Sequence, residues 1–276
     1  MNPTRAVRSQ LVRIGAAPDG DIDLAEAALV LASMERPRAA IEPYRRHLAK
    51  LVAEVAAFAG AEEPGGPGLP AEALRQVLAR RYGYIGAEDC AEEDAKLMRV
   101  IDRRRGLPVA LGIIYIHAAR ALGWTIDGIG FPARFLVRLQ VDSRRLILDP
   151  FAGGRVLAPE DMRALYKALA GNQAELTPAH YRALGNRDIL VRLQNNVKSR
   201  LLGEKRLEET LAAIEAMLLF APGEAALWRE SGVINARLDK VEAAVAALEE
   251  YLRRDTGDDA RYRASALLQE LRSRLG

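Results

Sequence analysis

The segment from Pro108 to Leu122 constrains the fold of this chain more than any other. A helix that is apolar on all sides has to be buried inside a domain. Proline in the first turn of such a helix costs nothing, because the N–H it lacks would have no partner within the helix. The sequence therefore predicts a buried central helix around which a domain packs. Apolar side chains fill nearly every position of it, among them Val109, Leu111, Ile113, Ile114 and Ile116.

Short runs of strand-forming residues follow this helix. Thr125 to Val141 holds two such runs, and Leu146 to Leu148 is a third. Asp149 and Pro150 end the third run, and a glycine-rich turn follows. We expect a small antiparallel sheet packed on the helix, which makes this part of a mostly helical chain an α+β domain.

Helical patterns occupy the rest of the chain. Apolar residues recur at helical spacing from Asp21 to Ala61. A period of about 34 residues from Leu190 to Leu275 resembles tetratricopeptide repeats. One unit fits well and the one before it is degenerate. The fitting unit has Trp228, Gly232, Ala244 and Leu248 at the positions that such a repeat requires. The predicted organisation is an N-terminal tail (1–20), the α+β domain (21–185) and the helical repeats (186–276).

Composition excludes several classes of function. The 276 residues contain one cysteine, Cys90, which excludes an intramolecular disulfide framework, and three histidines that lie far apart, so we predict no metal and no cofactor. The 40 Lys and Arg nearly balance the 37 Asp and Glu, so nucleic-acid binding is not expected. No run approaches the roughly 18 apolar residues of a membrane span, and we expect no membrane partner and a cytoplasmic protein.

Three motifs in a fixed order point to a family. They are Arg-Arg-Gly-Leu-Pro-Val before the apolar helix, Gly-Phe-Pro-Ala-Arg-Phe-Leu-Val-Arg, and Leu-Asp-Pro-Phe-Ala-Gly-Gly. With Asp23-Leu24-Ala25-Glu26 near the start and the C-terminal repeats, this order resembles the SirB-type bacterial proteins of the transglutaminase-like superfamily. The resemblance implies a papain-like core in a cytosolic bacterial protein, with a suspected regulatory role.

The resemblance also implies where a Cys-His-Asp site belongs, and the chain departs from it. At the helix N-terminus, where the nucleophile belongs, the chain has Pro108, Val109 and Ala110, none of which can attack a carbonyl. The base position holds Arg134, which stays protonated at neutral pH and cannot accept a proton. Only Asp149 is retained. We therefore expect a remnant cleft around Pro108, Ala110, Arg134 and Asp149 without catalysis.

Two questions remain open at this level. Arg134 either pairs with Asp149 or is solvated while Asp149 caps the turn before Pro150. An enzymatic alternative is a cysteine hydrolase or acyltransferase that uses Cys90 with His117. Against it, acidic neighbours of Cys90 disfavour a thiolate, and His117 is more typical of a packed histidine.

The repeats supply a second candidate surface. Repeat helices of this type bind extended peptides or partner helices, and Asn195, Lys198 and Asn235 lie on stretches that would line such a groove. The groove is either open or filled by the chain itself. The sequence thus predicts a non-catalytic protein-interaction or regulatory module whose partner is a protein or peptide.

Overall fold

The structure, a computed structural model, describes residues 3–61, 69–87, 92–132, 134–254 and 258–275. By internal contacts the chain divides into two units, Asp19–Leu193 and the combination of Met1–Pro18 with Gln194–Gly276. The domain boundary predicted after residue 185 remains a prediction; the division by contacts falls later, after Leu193.

Twelve α-helices lie in the described ranges, and a π-helical turn, Arg75–Arg81, continues the fourth. None of them combines the length and the apolar character that crossing a membrane requires. The helices are α1 (Arg5–Ala16), α2 (Leu24–Ser33), α3 (Glu42–Ala61), α4 (Leu69–Leu74), α5 (Leu97–Arg103), α6 (Pro108–Ala121), α7 (Pro159–Ala170), α8 (Asn186–Gly203), α9 (Leu207–Phe220), α10 (Ala225–Arg237), α11 (Val241–Arg254) and α12 (Asp258–Ser273).

The same described ranges contain six strands, which form two sheets. The first two strands pair in parallel, and the other four form an antiparallel sheet in chain order. The predicted α+β architecture with a small antiparallel sheet is confirmed. The strands are β1 (Ile85–Gly86), β2 (Arg105–Gly106), β3 (Ile126–Ile129), β4 (Leu136–Val141), β5 (Arg144–Asp149) and β6 (Arg155–Leu157).

Helix α6 is the centre of the Asp19–Leu193 unit, as its apolar pattern predicts. It buries residues on every side and packs against α2, α3, α4 and α5 as well as β3 and β4. Leu111, Ile113 and Ile116 are completely buried. The helix begins after Leu107, with Pro108 in its first turn.

The repeat helices pack through small residues. A Cβ on Gly232 of α10 would lie 2.6 Å from Cγ of Leu248 on α11, so only glycine permits this approach of the two helices. Ala244 and Leu248 are fully buried. The indole N–H of Trp228 donates to the carbonyl of Pro222 at 2.9 Å, which joins the start of α10 to the preceding turn. These contacts explain the residue types of the fitting repeat unit.

The N-terminal tail predicted over residues 1–20 remains a prediction as a unit, and within it Arg5–Ala16 form helix α1. Thr4 caps it by accepting the backbone N–H of Val7 at 3.3 Å. Leu11 is completely buried, and α1 packs on α9. At the contact, a Cβ on Gly15 would lie 2.3 Å from the carbonyl oxygen of Leu219. A short helix with few apolar positions becomes stable here because α9 covers it.

A pair of glycine substitutions tests the close packing on α6. We expect Gly112→Ala to lower the free energy of unfolding by about 1–3 kcal/mol, because the added Cβ would lie 2.3 Å from the Phe135 ring. Gly60→Ala in α3, where nothing lies within 4 Å of a Cβ, should instead raise it by up to about 1 kcal/mol through helix propensity. Urea unfolding measures both. Equal effects of the two variants would contradict the packing argument.

Candidate functional site

The ring of Phe135 fixes the start of β4, next to the site. Phe135 is 1% exposed. A Cβ on Gly112 of α6 would lie 2.3 Å from this ring, and one on Gly128 of β3 would lie 2.6 Å from it. Two glycines thus leave a slot that the phenyl ring fills. Arg134, the residue before Phe135, is held in place by this anchor.

Arg134 forms an ion pair with Asp149. Its Nη1 donates to Oδ2 of Asp149 at 2.7 Å, and the Asp149 side chain is only 2% exposed. The pairing of β4 with β5, in which Val137 lies opposite Leu148, brings the two residues to the same end of the sheet. The ion pair of the first interpretation is therefore present, together with the turn cap by Asp149 that the second interpretation predicted.

Both oxygens of the Asp149 carboxylate are occupied. Oδ1 accepts the backbone N–H of Phe151 at 2.9 Å and that of Ala152 at 3.3 Å, while Oδ2 accepts from Arg134. The carboxylate therefore caps the turn and holds Arg134 at the same time. In a Cys-His-Asp site this carboxylate would orient an imidazole; here it neutralises a permanent cation.

The Phe151 ring completes the surroundings of Arg134. The Arg134 guanidinium carbon lies 4.6 Å from the ring centroid, a cation–π contact. A Cβ on Gly86 of β1 would lie 2.5 Å from this ring, and the N–H of Gly86 donates to the Phe151 carbonyl at 2.9 Å. Arg134 is thus held by a carboxylate and an aromatic face, both on rigid backbone.

The hydroxyl of Tyr115 is a buried polar group beside the site. Tyr115 is fully buried on α6, and its hydroxyl has no hydrogen-bond partner among the described residues. It lies against the turn after Asp149, since a Cβ on Gly154 would be 2.7 Å away from it. Burial raises the pKa of this hydroxyl above its ordinary value, and the negative charge of Asp149 adds to the rise. It is therefore a neutral phenol.

The first turn of α6 offers no nucleophile. Pro108, Val109 and Ala110 carry hydrocarbon side chains, and Ala110 has no exposed surface. A cleft formed jointly by Pro108, Ala110, Arg134 and Asp149 remains a prediction. Of these four residues, the structure shows Arg134 paired with Asp149.

Of the two residues of the enzymatic alternative, the structure describes only His117. Cys90 lies outside the described residues. His117 follows Pro108 by nine positions on α6, about 13 Å along the helix axis. It lines a separate pocket of about 350 Å³ with Asp23 and Arg120. Burial lowers the pKa of His117, and Asp23 opposes the shift. Within the described ranges, no cluster of three His, Cys, Asp or Glu side chains suits a metal ion.

His47 is a neutral histidine that contacts Tyr84 and Arg104, the residues before β1 and β2. Arg104 Nη1 lies 2.6 Å from Nε2 of His47, and the Tyr84 hydroxyl lies 2.9 Å from the same nitrogen. Because a guanidinium only donates, Nε2 must accept, and the imidazole is uncharged. Burial, with the charges of Arg104 and Lys50, lowers the pKa of His47 to about 4, against a small opposing effect of Glu54.

The repeat helices contain a groove between α8, α9 and α10 with a volume of about 540 Å³. Asn195 and Lys198 line this groove, as do Arg229, Glu230 and Arg237. The predicted groove residue Asn235 does not line it. Its side chain is buried and donates to the Ser231 carbonyl at 3.0 Å within α10. The sequence pattern does not distinguish Asn195 from Asn235. In the structure, Asn195 lies on the face of α8 that lines the groove, whereas Asn235 lies on a buried face of α10.

Together, the fold and the site define a papain-like α+β domain joined to helical repeats. The family model of the transglutaminase-like superfamily matches residues 42–195, more than half of the chain. A tetratricopeptide repeat model matches residues 197–269. The chain belongs to the transglutaminase-like superfamily, and the predicted resemblance is confirmed.

Its relatives include bacterial proteins of the UPF0162 and SirB1 type. A UPF0162 protein of Xylella fastidiosa is 33% identical over 185 residues, which span 65% of this chain and 66% of the relative. One from Vibrio cholerae is 28% identical over 87% of this chain and 88% of its own length. Protein SirB1 of Salmonella typhimurium is 26% identical over 66% of this chain and 69% of its own. A crystal structure of menin superposes with a TM-score of 0.36 at 11% identity, covering 94% of this chain and 72% of menin.

Sequence reasoning found the charged pair but missed its supports. The slot for Phe135 depends on Gly112 and Gly128, and the floor under Arg134 depends on Gly86. Gly112 was the available signal, because glycine inside an otherwise apolar helix marks a close approach. The role of Tyr115 had no signal in the sequence, since its packing position resembles that of any core aromatic.

A double-mutant cycle tests the ion pair. We expect Arg134→Gln and Asp149→Asn each to lower the free energy of unfolding by about 1–3 kcal/mol, because each leaves the other charge without its partner. The double variant should lose less than the sum, with a coupling energy of about 0.5–3 kcal/mol by urea unfolding. Additive losses would show that the contact contributes nothing.

The pH dependence of stability tests the neutral state of His47. The folded-state pKa of about 4 lies below the reference value of 6.5, so protonation favours the unfolded chain. Stability from this group is therefore complete above about pH 6.5 and is lost as the pH falls towards 4. The His47→Gln variant, which keeps an acceptor, should show a shallower loss across this window in urea midpoints. Parallel curves for the two proteins would contradict the assignment.

Proposed function

We propose that this chain is a non-catalytic member of its superfamily that acts as a protein-interaction or regulatory module. The observation that carries the proposal is the Arg134–Asp149 ion pair at 2.7 Å, in which both carboxylate oxygens are occupied. A guanidinium at this position cannot act as a general base, since it does not release its proton at neutral pH.

The first turn of α6 supports the same conclusion. Backbone N–H groups at a helix N-terminus lower the pKa of a thiol beside them and so activate it as a nucleophile. The side chains at this end are those of Pro108, Val109 and Ala110, which contain only carbon and hydrogen. The residues at the positions that the resemblance assigns to the nucleophile and the base thus support the proposal of a non-catalytic protein.

The repeats supply the interaction surface of the proposal. Tetratricopeptide helices stack in pairs and present a groove to extended segments of partners. In this chain the groove between α8, α9 and α10 has a volume of about 540 Å³ and is lined by charged and apolar side chains. A rigid domain with an ion-paired site and an attached groove suits recognition better than turnover.

Alkylation of the sole cysteine tests the loss of catalysis. Because the chain has one cysteine, iodoacetamide modification measured by intact mass reports on Cys90 alone. We expect the reaction rate to rise with an apparent pKa at or above the ordinary thiol value of about 8.5. A nucleophile activated by a histidine would react at pH values well below this.

A paired activity measurement provides the control. Purified wild-type protein and the Cys90→Ser variant are incubated with a glutamine-containing peptide and a primary amine, and ammonia release is measured. The proposal requires the same background from both proteins. Release by the wild type that disappears in Cys90→Ser and in His117→Ala would contradict it and support a cysteine enzyme.

A further inference from the structure

We propose that the groove between α8, α9 and α10 binds an extended acidic segment of a partner protein, and that Glu230 occupies part of this site in the free protein. This inference rests on the proposed interaction role and specifies the chemistry of the partner. The groove is a cavity of about 540 Å³ formed by the repeat helices.

One face of each flanking helix forms the groove. On α8 the lining residues Asn195, Lys198 and Leu202 are separated by three or four positions, which places them on a single face. On α10 the face is formed by Arg229, Glu230 and the residues one and two turns beyond. The two faces belong to the first helices of two successive helical pairs, so the groove follows the repeat.

The charges of the groove do not balance. Lys198 Nζ lies 2.5 Å from the Glu230 carboxylate, and these two charges compensate one another. The guanidinium carbon of Arg229 lies 6.0 Å from the centroid of the Tyr251 ring, and Arg237 is exposed. Neither arginine has a carboxylate partner within the described part of the chain. Two uncompensated guanidinium groups in one groove favour an anionic ligand.

A buried acceptor indicates that the ligand also donates hydrogen bonds. Asn195 lines the groove, and its Oδ1 atom is buried without a hydrogen-bond partner among the described residues. Leaving such an acceptor unsatisfied is costly, and a ligand N–H relieves that cost. A peptide backbone supplies N–H groups along its whole length, whereas a simple inorganic anion supplies few or none.

Apolar side chains add a further requirement. Val233 and the partly exposed Leu202 lie beside the charged groups in the groove. A segment that carries both carboxylates and apolar side chains satisfies this surface. Acidic and apolar residues in one extended peptide fit it better than a nucleic-acid backbone, which offers phosphates without apolar side chains.

Glu230 is the internal competitor in this arrangement. Its carboxylate neutralises Lys198, whose side chain is only 11% exposed, and it opposes the entry of a second carboxylate. Removal of this one charge frees Lys198 and removes a like-charge repulsion. Substitution of Glu230 is therefore expected to strengthen binding, which mere damage to the fold would not do.

The binding test uses three octapeptides with blocked ends. The first contains two leucines and two glutamates among glycines and serines, and in the others glutamine or lysine replaces the glutamates. Fluorescence anisotropy of labelled peptides with the full chain should give affinity for the glutamate peptide at least about tenfold above the others, falling as salt rises.

Variants of the full chain test the assigned residues. Glu230→Gln should bind the glutamate peptide about three- to tenfold more tightly, whereas Glu249→Gln on α11 removes the same charge outside the groove and should leave the affinity unchanged. Asn195→Ala should weaken it about fivefold. The double variant Arg229→Gln with Arg237→Gln should weaken it more than tenfold.

Three outcomes would overturn the inference. They are preference for the lysine peptide, equal binding of all three peptides, and no change in affinity with Glu230→Gln while thermal unfolding shows a folded protein. Self-association that competes with the peptide in sedimentation would show that a second copy fills the groove. The alkylation test of Cys90 is independent of these results, so failure here leaves the non-catalytic proposal to be judged separately.

Discussion

The contact of the Phe135 ring with Gly112 and Gly128 fixes the geometry on which the candidate site depends. One glycine lies on the central helix and the other on the first strand of the antiparallel sheet, so the ring joins the two layers of the domain. Interiors packed at this density tolerate no additional methyl group. Phe135 is buried in this slot, and Arg134 beside it pairs with Asp149, which the β4–β5 pairing brings to the same end of the sheet.

The electrostatics of the site follow from this geometry. An arginine that meets a nearly buried carboxylate stays charged, and it stacks on Phe151 at the same time. The same carboxylate caps the following turn through two backbone N–H groups. A catalytic dyad needs one partner that exchanges protons; this pair has a permanent cation and a fully engaged anion. The arrangement holds the turn after Asp149 and fixes the position of Arg134.

In the repeat helices, a small residue brings two helices close together. The close approach at Gly232 fastens α10 to α11, and Arg229 on this side of α10 lies over the Tyr251 ring of α11. Glu230, on the other side of α10, pairs with Lys198 of α8 in the groove. Asn235, which is buried in the packing of α10, donates its side-chain N–H to the Ser231 carbonyl within the same helix. Three other polar side chains, Asn195, Arg229 and Arg237, line the same groove, and the Asn195 side-chain carbonyl has no hydrogen-bond partner among the described residues. That separation is the physical basis for assigning recognition to the repeats.

The sequence by itself determined the main helices and strands and the residue types at the site. All-round apolarity predicted the central helix, the repeat spacing placed Gly232 and Leu248 at positions of a repeat unit, and residue type alone excluded proton transfer by Arg134. Tertiary structure decided the partners: that α1 is a helix on α9, that Arg134 meets Asp149, and that Asn195 rather than Asn235 lines the groove. The periodicity of a sequence reports which residues share a face of one helix or strand. It does not report which other element that face contacts, and these contacts join different elements of the chain. Lys198 and Glu230, on different helices, meet only once the repeats have packed.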